Sequence, residues 1–181
     1  WADADDAVNY GGIGTVIGHE ITHGFDDQGS RFDASGSKRD WWTEDDRIEF
    51  ERLATRLADQ FDEYEVAEGA KVNGRLTLGE NIADLGGVAI ALGALREAIG
   101  ADAPLVDGLT PDQRFFPAYA TMWRLNATEA YLRMQVNVDP HAPARFRVNG
   151  PVSNVPAFAE AFGIDEGEPM ARPADDRVRI W

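Results

Sequence analysis

A mainly helical fold with at most one small β-hairpin is what this 181-residue sequence predicts. Three observations carry it. Two long segments, near 44–64 and 79–99, repeat apolar residues at helical spacing or are apolar almost throughout. Helix-start signals stand at Thr43 and at Thr110-Pro111. A single hairpin signal, Asn73-Gly74, lies between short apolar arms.

Taken in order, residues from about Gly12 to Gly24 read as a helix carrying Ile13, Val16, Ile17 and Ile21, with the composition of a buried element. "DDQGSRFDASGSKRD" reads as a loop because Gly, Ser and Asp dominate it. Thr43 then caps a helix whose stripe is Ile48, Leu53, Leu57, Phe61 and Tyr64. "KVNGRLTL" is the hairpin candidate, and a second apolar helix follows from about Gly79 to Ile99. Thr110-Pro111 opens the next helix, which Pro117 is expected to kink or divide. "NATEAYLRMQ" extends the helical region, and its Asn126-Ala-Thr128 sequon matters only in a secreted eukaryotic protein. Residues 138–153 read as a Pro/Gly/Asn-bearing loop. "VPAFAEAFG" is a short helix stopped by Gly163, and a polar tail follows.

Composition narrows the partners. The length suits one domain, and 44 % hydrophobic residues suffice for a core. A formal charge of −15 disfavours nucleic acid and anionic membrane surfaces, and is equally the mark of a well-solvated protein. No cysteine is present, so a metal would have to be held by His and carboxylates. No apolar run approaches the roughly 20 residues of a membrane span, and no targeting pattern opens the chain. A soluble chain is expected and its compartment is unknown. The opening "WADADDAVNYGG" reads as the middle of a longer polypeptide.

Two of only three histidines fall in "GTVIGHEITHGFDDQG". His19 and His23, four residues apart, project from one helix face, so two imidazoles can reach one ion. Glu20 lies about 100° further round, suited to face a water beside that ion without ligating it. This is the H-E-x-x-H pattern of zinc hydrolases, which requires a third ligand. The plainer alternative is a surface helix that happens to carry these residues. Against it stand apolar flanks, in which three ionisable groups need compensation.

The Gly and His spacing of metzincins is absent, since Asp26 and Gly29 occupy those places. "LGENIADLGGVAIAL" offers instead Glu80 and Asp84, four apart on an otherwise apolar helix. We assign Glu80 as the third ligand. Asp84 is expected to accept the free ring N–H of a ligating histidine, and Asp26 to do likewise. The alternative is a polar helix start facing solvent, which favours acids by itself. His141 and Arg147, in "NVDPHAPARFRVNG", could supply an oxyanion donor and a cation for substrate, although a lone loop histidine is more often merely solvated.

Together, "NYGGIGTVIGHEITHGFDDQG", "GENIADLGG" and the ordered His141…Arg147 pair resemble the neprilysin/endothelin-converting-enzyme family of zinc endopeptidases. "DWWT" (40–43), Met122-Trp123 and the final Trp181 extend the resemblance over nearly the whole chain. It implies the C-terminal helical part of a thermolysin-like zincin (gluzincin) catalytic domain, with residues 1–181 forming a single domain. It implies one zinc ion per chain on His19, His23 and Glu80, with Glu20 as the base that activates water. Asp84 matches an acid of the catalytic machinery, His141 the transition-state stabiliser, and Arg147 the residue that grips the substrate backbone. Val16, Met122 and Trp123 match the lining of the pocket for the side chain after the cleaved bond, for which core packing is the alternative. Oligopeptides are the implied substrates. The family's upstream lobe and its "N-A-Y" edge strand are absent from these residues, so an upstream part of the same polypeptide is expected, and without it a zinc- or peptide-binding half lacking turnover is the alternative. Vertebrate members carry Cys where Val178 stands, which suits a bacterial member or one in a reducing compartment.

Overall fold

The computed structural model describes residues 3–181. The helices are α1 (Asp6–Asn9), α2 (Thr15–Thr22), α3 (Glu44–Asp62), α4 (Leu78–Ile99), α5 (Pro111–Met122), α6 (Glu129–Val138), α7 (Ala144–Ser153) and α8 (Pro156–Phe162). One antiparallel pair, β1 (Glu65–Ala67) and β2 (Ala70–Lys71), is the only sheet among the described residues. The mainly helical prediction therefore holds. No helix among these residues is long and apolar enough to cross a membrane.

Local chemistry explains most element starts. Thr43 Oγ1 accepts the Asp46 N–H, Thr128 Oγ1 that of Tyr131, and Thr110 with Gln113 forms a reciprocal capping box before Pro111. Gly163, at φ 62°, ends α8 in the left-handed conformation that glycine adopts without strain. Helix α4 is apolar all round because it is the shared wall of two core regions. Its first half packs with Leu57, Phe61, Val136 and Phe146, and its second half with Phe115, Phe116, Tyr119 and Val152.

Several expectations are corrected. The first helical stretch is longer than 12–24. It starts at Asp6, widens into a π-helical turn over Tyr10–Gly14, continues as α2, and tightens into a 3-10 turn over His23–Phe25. Its composition is that of a buried helix, yet Ile13, Ile17 and Ile21 are 56–58 % exposed. Only the face carrying Thr15, Gly18 and Thr22 is buried. In α3 the core position is Phe50, and Ile48 is exposed.

The hairpin turns at Glu68-Gly69, not at Asn73-Gly74. Asn73 instead organises the entry to α4, its Oδ1 accepting the Leu76 N–H and its carbonyl that of Thr77. Gly74 passes so close to Ala58 that a Cβ would overlap the Ala58 carbonyl oxygen. Pro117 does not divide α5. The expected loop 138–153 shrinks to a short connection ending at Pro143, and the remainder is α7 despite Gly150 and Pro151.

Candidate metal centre

Helices α2 and α4 meet at backbone contact. A Cβ at Gly18 would stand 3.0 Å from Gly87 Cα, and one at Gly87 would stand 2.6 Å from the Thr15 carbonyl oxygen and 2.8 Å from His19 N. Real Cβ atoms do not come as close as one at Gly87 would, and one at Gly18 would be unusually tight, so the two glycines together permit this approach. It brings the side chains at the start of α4 under the histidines of α2.

There, three side chains converge. His19 Nε2 and His23 Nε2 are 3.0 Å apart. Glu80 Oε2 is 3.3 Å from the first, and Glu80 Oε1 3.6 Å from the second. The other ring nitrogens are engaged: His19 Nδ1 lies 2.9 Å from Asp84 Oδ1, and His23 Nδ1 2.8 Å from Asp26 Oδ2. A carboxylate only accepts, so both Nδ1 atoms carry the proton and donate, leaving both Nε2 lone pairs aimed inward. Asp26 is itself held by the Gln28 and Gly29 backbone N–H groups at 2.8 and 2.7 Å.

This cluster could hold a cation. With both Nε2 atoms bare, Glu80 Oε2 is buried with no hydrogen-bond partner among the described residues, and two imidazole lone pairs face it. Ligand atoms set tetrahedrally at roughly 2.0–2.1 Å from zinc are about 3.3 Å apart, and the observed separations bracket that value. His19, His23 and Glu80 are the group that could hold a metal ion among the described residues. Without one, a proton takes its place. Burial opposes protonation of His19, but hydrogen bonds with Asp84 and Glu80 outweigh it and carry the pKa up to about 9. Burial likewise raises the Glu80 carboxyl, yet the His19 hydrogen bond and the fields of His141 and His23 prevail and lower it.

A cavity of about 150 Å³ adjoins the cluster, lined by Val16, His19, Glu20, Tyr119, Met122, Trp123, His141 and Arg147 among others. Every candidate site residue except His23, Glu80 and Asp26 thus borders one space; His23 and Glu80 adjoin His19, and Asp26 holds His23. Glu20 is exposed and joins no ion pair among the described residues. Arg147 is 8 % exposed and clamps Asp84 through Nε and Nη2 at 2.7 and 2.8 Å, with its guanidinium 3.8 Å above the Trp123 ring. Burial disfavours its charge, but the Asp84 hydrogen bonds win and raise its pKa. Asp84 therefore joins His19 to Arg147. His141 Nε2 points to Glu80 Oε2 at 3.3 Å.

Residues 2–178 match the family model described as Peptidase family M13. This chain belongs to that family. A neutral endopeptidase of Lactococcus lactis is 39 % identical, over 96 % of this chain and 26 % of its own length. Human endothelin-converting enzyme 1 is 42 % identical, over 97 % of this chain and 23 % of its own. The chain thus spans about a quarter of the length of the curated relatives it matches. Among solved structures, a crystal structure of Mycobacterium tuberculosis zinc metalloprotease ZMP1 with an inhibitor superposes at a TM-score of 0.95 with 48 % identity. It covers 98 % of this chain and 28 % of that one.

Two residues of this M13 chain escaped the sequence reading. Asp139 accepts from His141 Nδ1–H at 2.8 Å and from the His141 backbone N–H at 2.9 Å. Burial raises the Asp139 carboxyl, but these two hydrogen bonds outweigh it and the pKa falls. Its place two residues before the histidine is the signature of an Asx-type turn and was available. Tyr119 had no local signal, because its partner lies on another helix.

Proposed function

We propose that this chain is the metal-binding part of a zinc-dependent endopeptidase that hydrolyses oligopeptides. The observation that carries the reading is the convergence of His19, His23 and Glu80, with the second nitrogen of each imidazole held by a carboxylate. Family M13 membership and relatives named as endopeptidases support it. Bound there, zinc supplies Lewis acidity and lowers the pKa of a water to roughly 7.

The chain's own residues supply the rest. Glu20, one residue past His19 and open to the cavity, takes the proton from the attacking water and delivers it to the leaving nitrogen. His141, oriented by Asp139, donates from Nε2 to the oxyanion of the tetrahedral intermediate. Asp84 takes Nε and Nη2 of Arg147, so Nη1, which makes no hydrogen bond among the described residues, is the group that grips a substrate carbonyl. Val16, Met122 and Trp123 receive the side chain after the scissile bond. The test is Glu20→Gln in the full-length enzyme. One equivalent of zinc should remain while turnover is lost, and near-normal hydrolysis would remove Glu20 from this role.

A second reading concerns the 181 residues by themselves, as a zinc- or peptide-binding half without turnover. The exposed Ile13, Ile17 and Ile21 favour it, because they leave an apolar stripe uncovered on the ligand-bearing helix. Zinc stoichiometry and fluorogenic-peptide cleavage on this chain separate the two: bound zinc without cleavage supports the second reading, and cleavage excludes it.

A further inference from the structure

Helix α7 carries Arg147 and also Pro151, four residues on. In an α-helix the N–H of residue 151 would donate to the carbonyl of residue 147, but proline has no N–H and its ring crowds that same carbonyl. The Arg147 carbonyl is therefore deprived of its ordinary donor, within a residue only 8 % exposed. A buried carbonyl left in that state is costly.

The missing donor comes from α5. The Tyr119 hydroxyl donates to the Arg147 carbonyl oxygen at 2.6 Å, across 28 residues of sequence, in a buried contact. Tyr119 is 2 % exposed, and its ring packs in the core with Phe115 and Val152. Four residues further on, Trp123 lies beneath the guanidinium of the same Arg147 at 3.8 Å. Helix α5 and its C-cap Trp123 thus hold Arg147 at both ends, by its backbone and by its charged head.

We infer that the Tyr119 hydroxyl is a positioning group for Arg147, replacing the main-chain donor that Pro151 removes, and so setting how that arginine meets a bound peptide. This rests on the substrate-gripping role given to Arg147 above. Tyr119 touches no reacting atom in this account. It fixes the turn of α7 from which Arg147 reaches Asp84 and the cavity.

The pairing makes a specific prediction, because the lost donor can be restored in another way. Pro151→Ala returns a backbone N–H to the Arg147 carbonyl. In the full-length enzyme, Tyr119→Phe should lower kcat/KM about tenfold, mainly through KM, because a displaced Arg147 meets the peptide out of position. Pro151→Ala alone should stay within about twofold of the parent, and adding Tyr119→Phe to it should cost no more than about threefold. Peptide affinity, measured by calorimetry in the Glu20→Gln background, should follow the same pattern. A ring needed only for packing would be served equally well by phenylalanine and would show no dependence on residue 151. Equal losses from Tyr119→Phe in both backgrounds, or no loss in either, overturn the inference. Arg147→Ala separates it from its premise: if that variant keeps full kcat/KM, the substrate role of Arg147 fails and the inference with it. If Arg147→Ala is damaging while Tyr119 and Pro151 are uncoupled, only the positioning role of Tyr119 falls.

Discussion

Asp84 and Arg147 face one another in two parallel hydrogen bonds of 2.7 and 2.8 Å, with side chains only 2 % and 9 % exposed. Such a pair adds little when intact, but removing one partner strands a buried charge. Asp84→Ala is therefore expected to destabilise the metal-free protein by about 3–5 kcal/mol, read from urea unfolding. A loss below about 1 kcal/mol, the range of exposed ion pairs, would show that the arginine finds another partner or water.

Asp26→Asn removes the fixed acceptor of His23 Nδ1. An amide can present its NH₂ to the ring and admit the wrong tautomer. Zinc affinity should fall about 10–100-fold, measured by chelator competition, while far-UV circular dichroism stays unchanged. Unaltered affinity would mean that the orientation of His23 does not depend on Asp26.

Two glycines of α4 should answer oppositely to alanine. Gly87→Ala drives a methyl into backbone atoms of Thr15 and His19, which cannot yield, so the helices must part. The melting temperature and the zinc affinity should drop together. Gly93→Ala meets nothing within 4 Å and should stabilise the helix by about 0.5–1 kcal/mol. Equal effects at the two positions would contradict the backbone contact.

The Asp5 carboxylate pairs with Arg114 at 2.5 Å, and that hydrogen bond holds its pKa below the ordinary 3.8. A carboxyl with a depressed folded-state pKa stabilises above its unfolded value and loses that contribution as pH falls through the folded one. Asp5→Asn should therefore cost about 1 kcal/mol near neutral pH, with the difference from the parent closing only below pH 3.8. A difference independent of pH would assign the effect to packing.

The candidate metal cluster was legible because it is periodic. His19 and His23, and Glu80 and Asp84, each sit four apart, and this spacing states which side chains share a face. Threonine caps were legible for a similar local reason. What escaped depends on neighbours in space. Nothing in "GTVIGHEITHGF" tells which of its apolar faces is covered, and Ile13, Ile17 and Ile21 turned out exposed. Asn73-Gly74 carries a turn signal that serves a helix entry as well as a hairpin. Pro151 and Gly150 argued locally against a helix over 144–153. That helix forms because Gly150 admits the Phe61 ring, and because Tyr119 answers the carbonyl that proline abandons.

The glycine-to-glycine approach of α2 and α4 has a thermodynamic corollary. Main-chain atoms, and not adjustable side chains, set the spacing between the two donors on one rod and the third on the other. The three candidate ligands are thus brought together when the polypeptide folds, and little disorder remains for an incoming ion to remove. Metal uptake by such a preorganised socket should leave the secondary structure untouched.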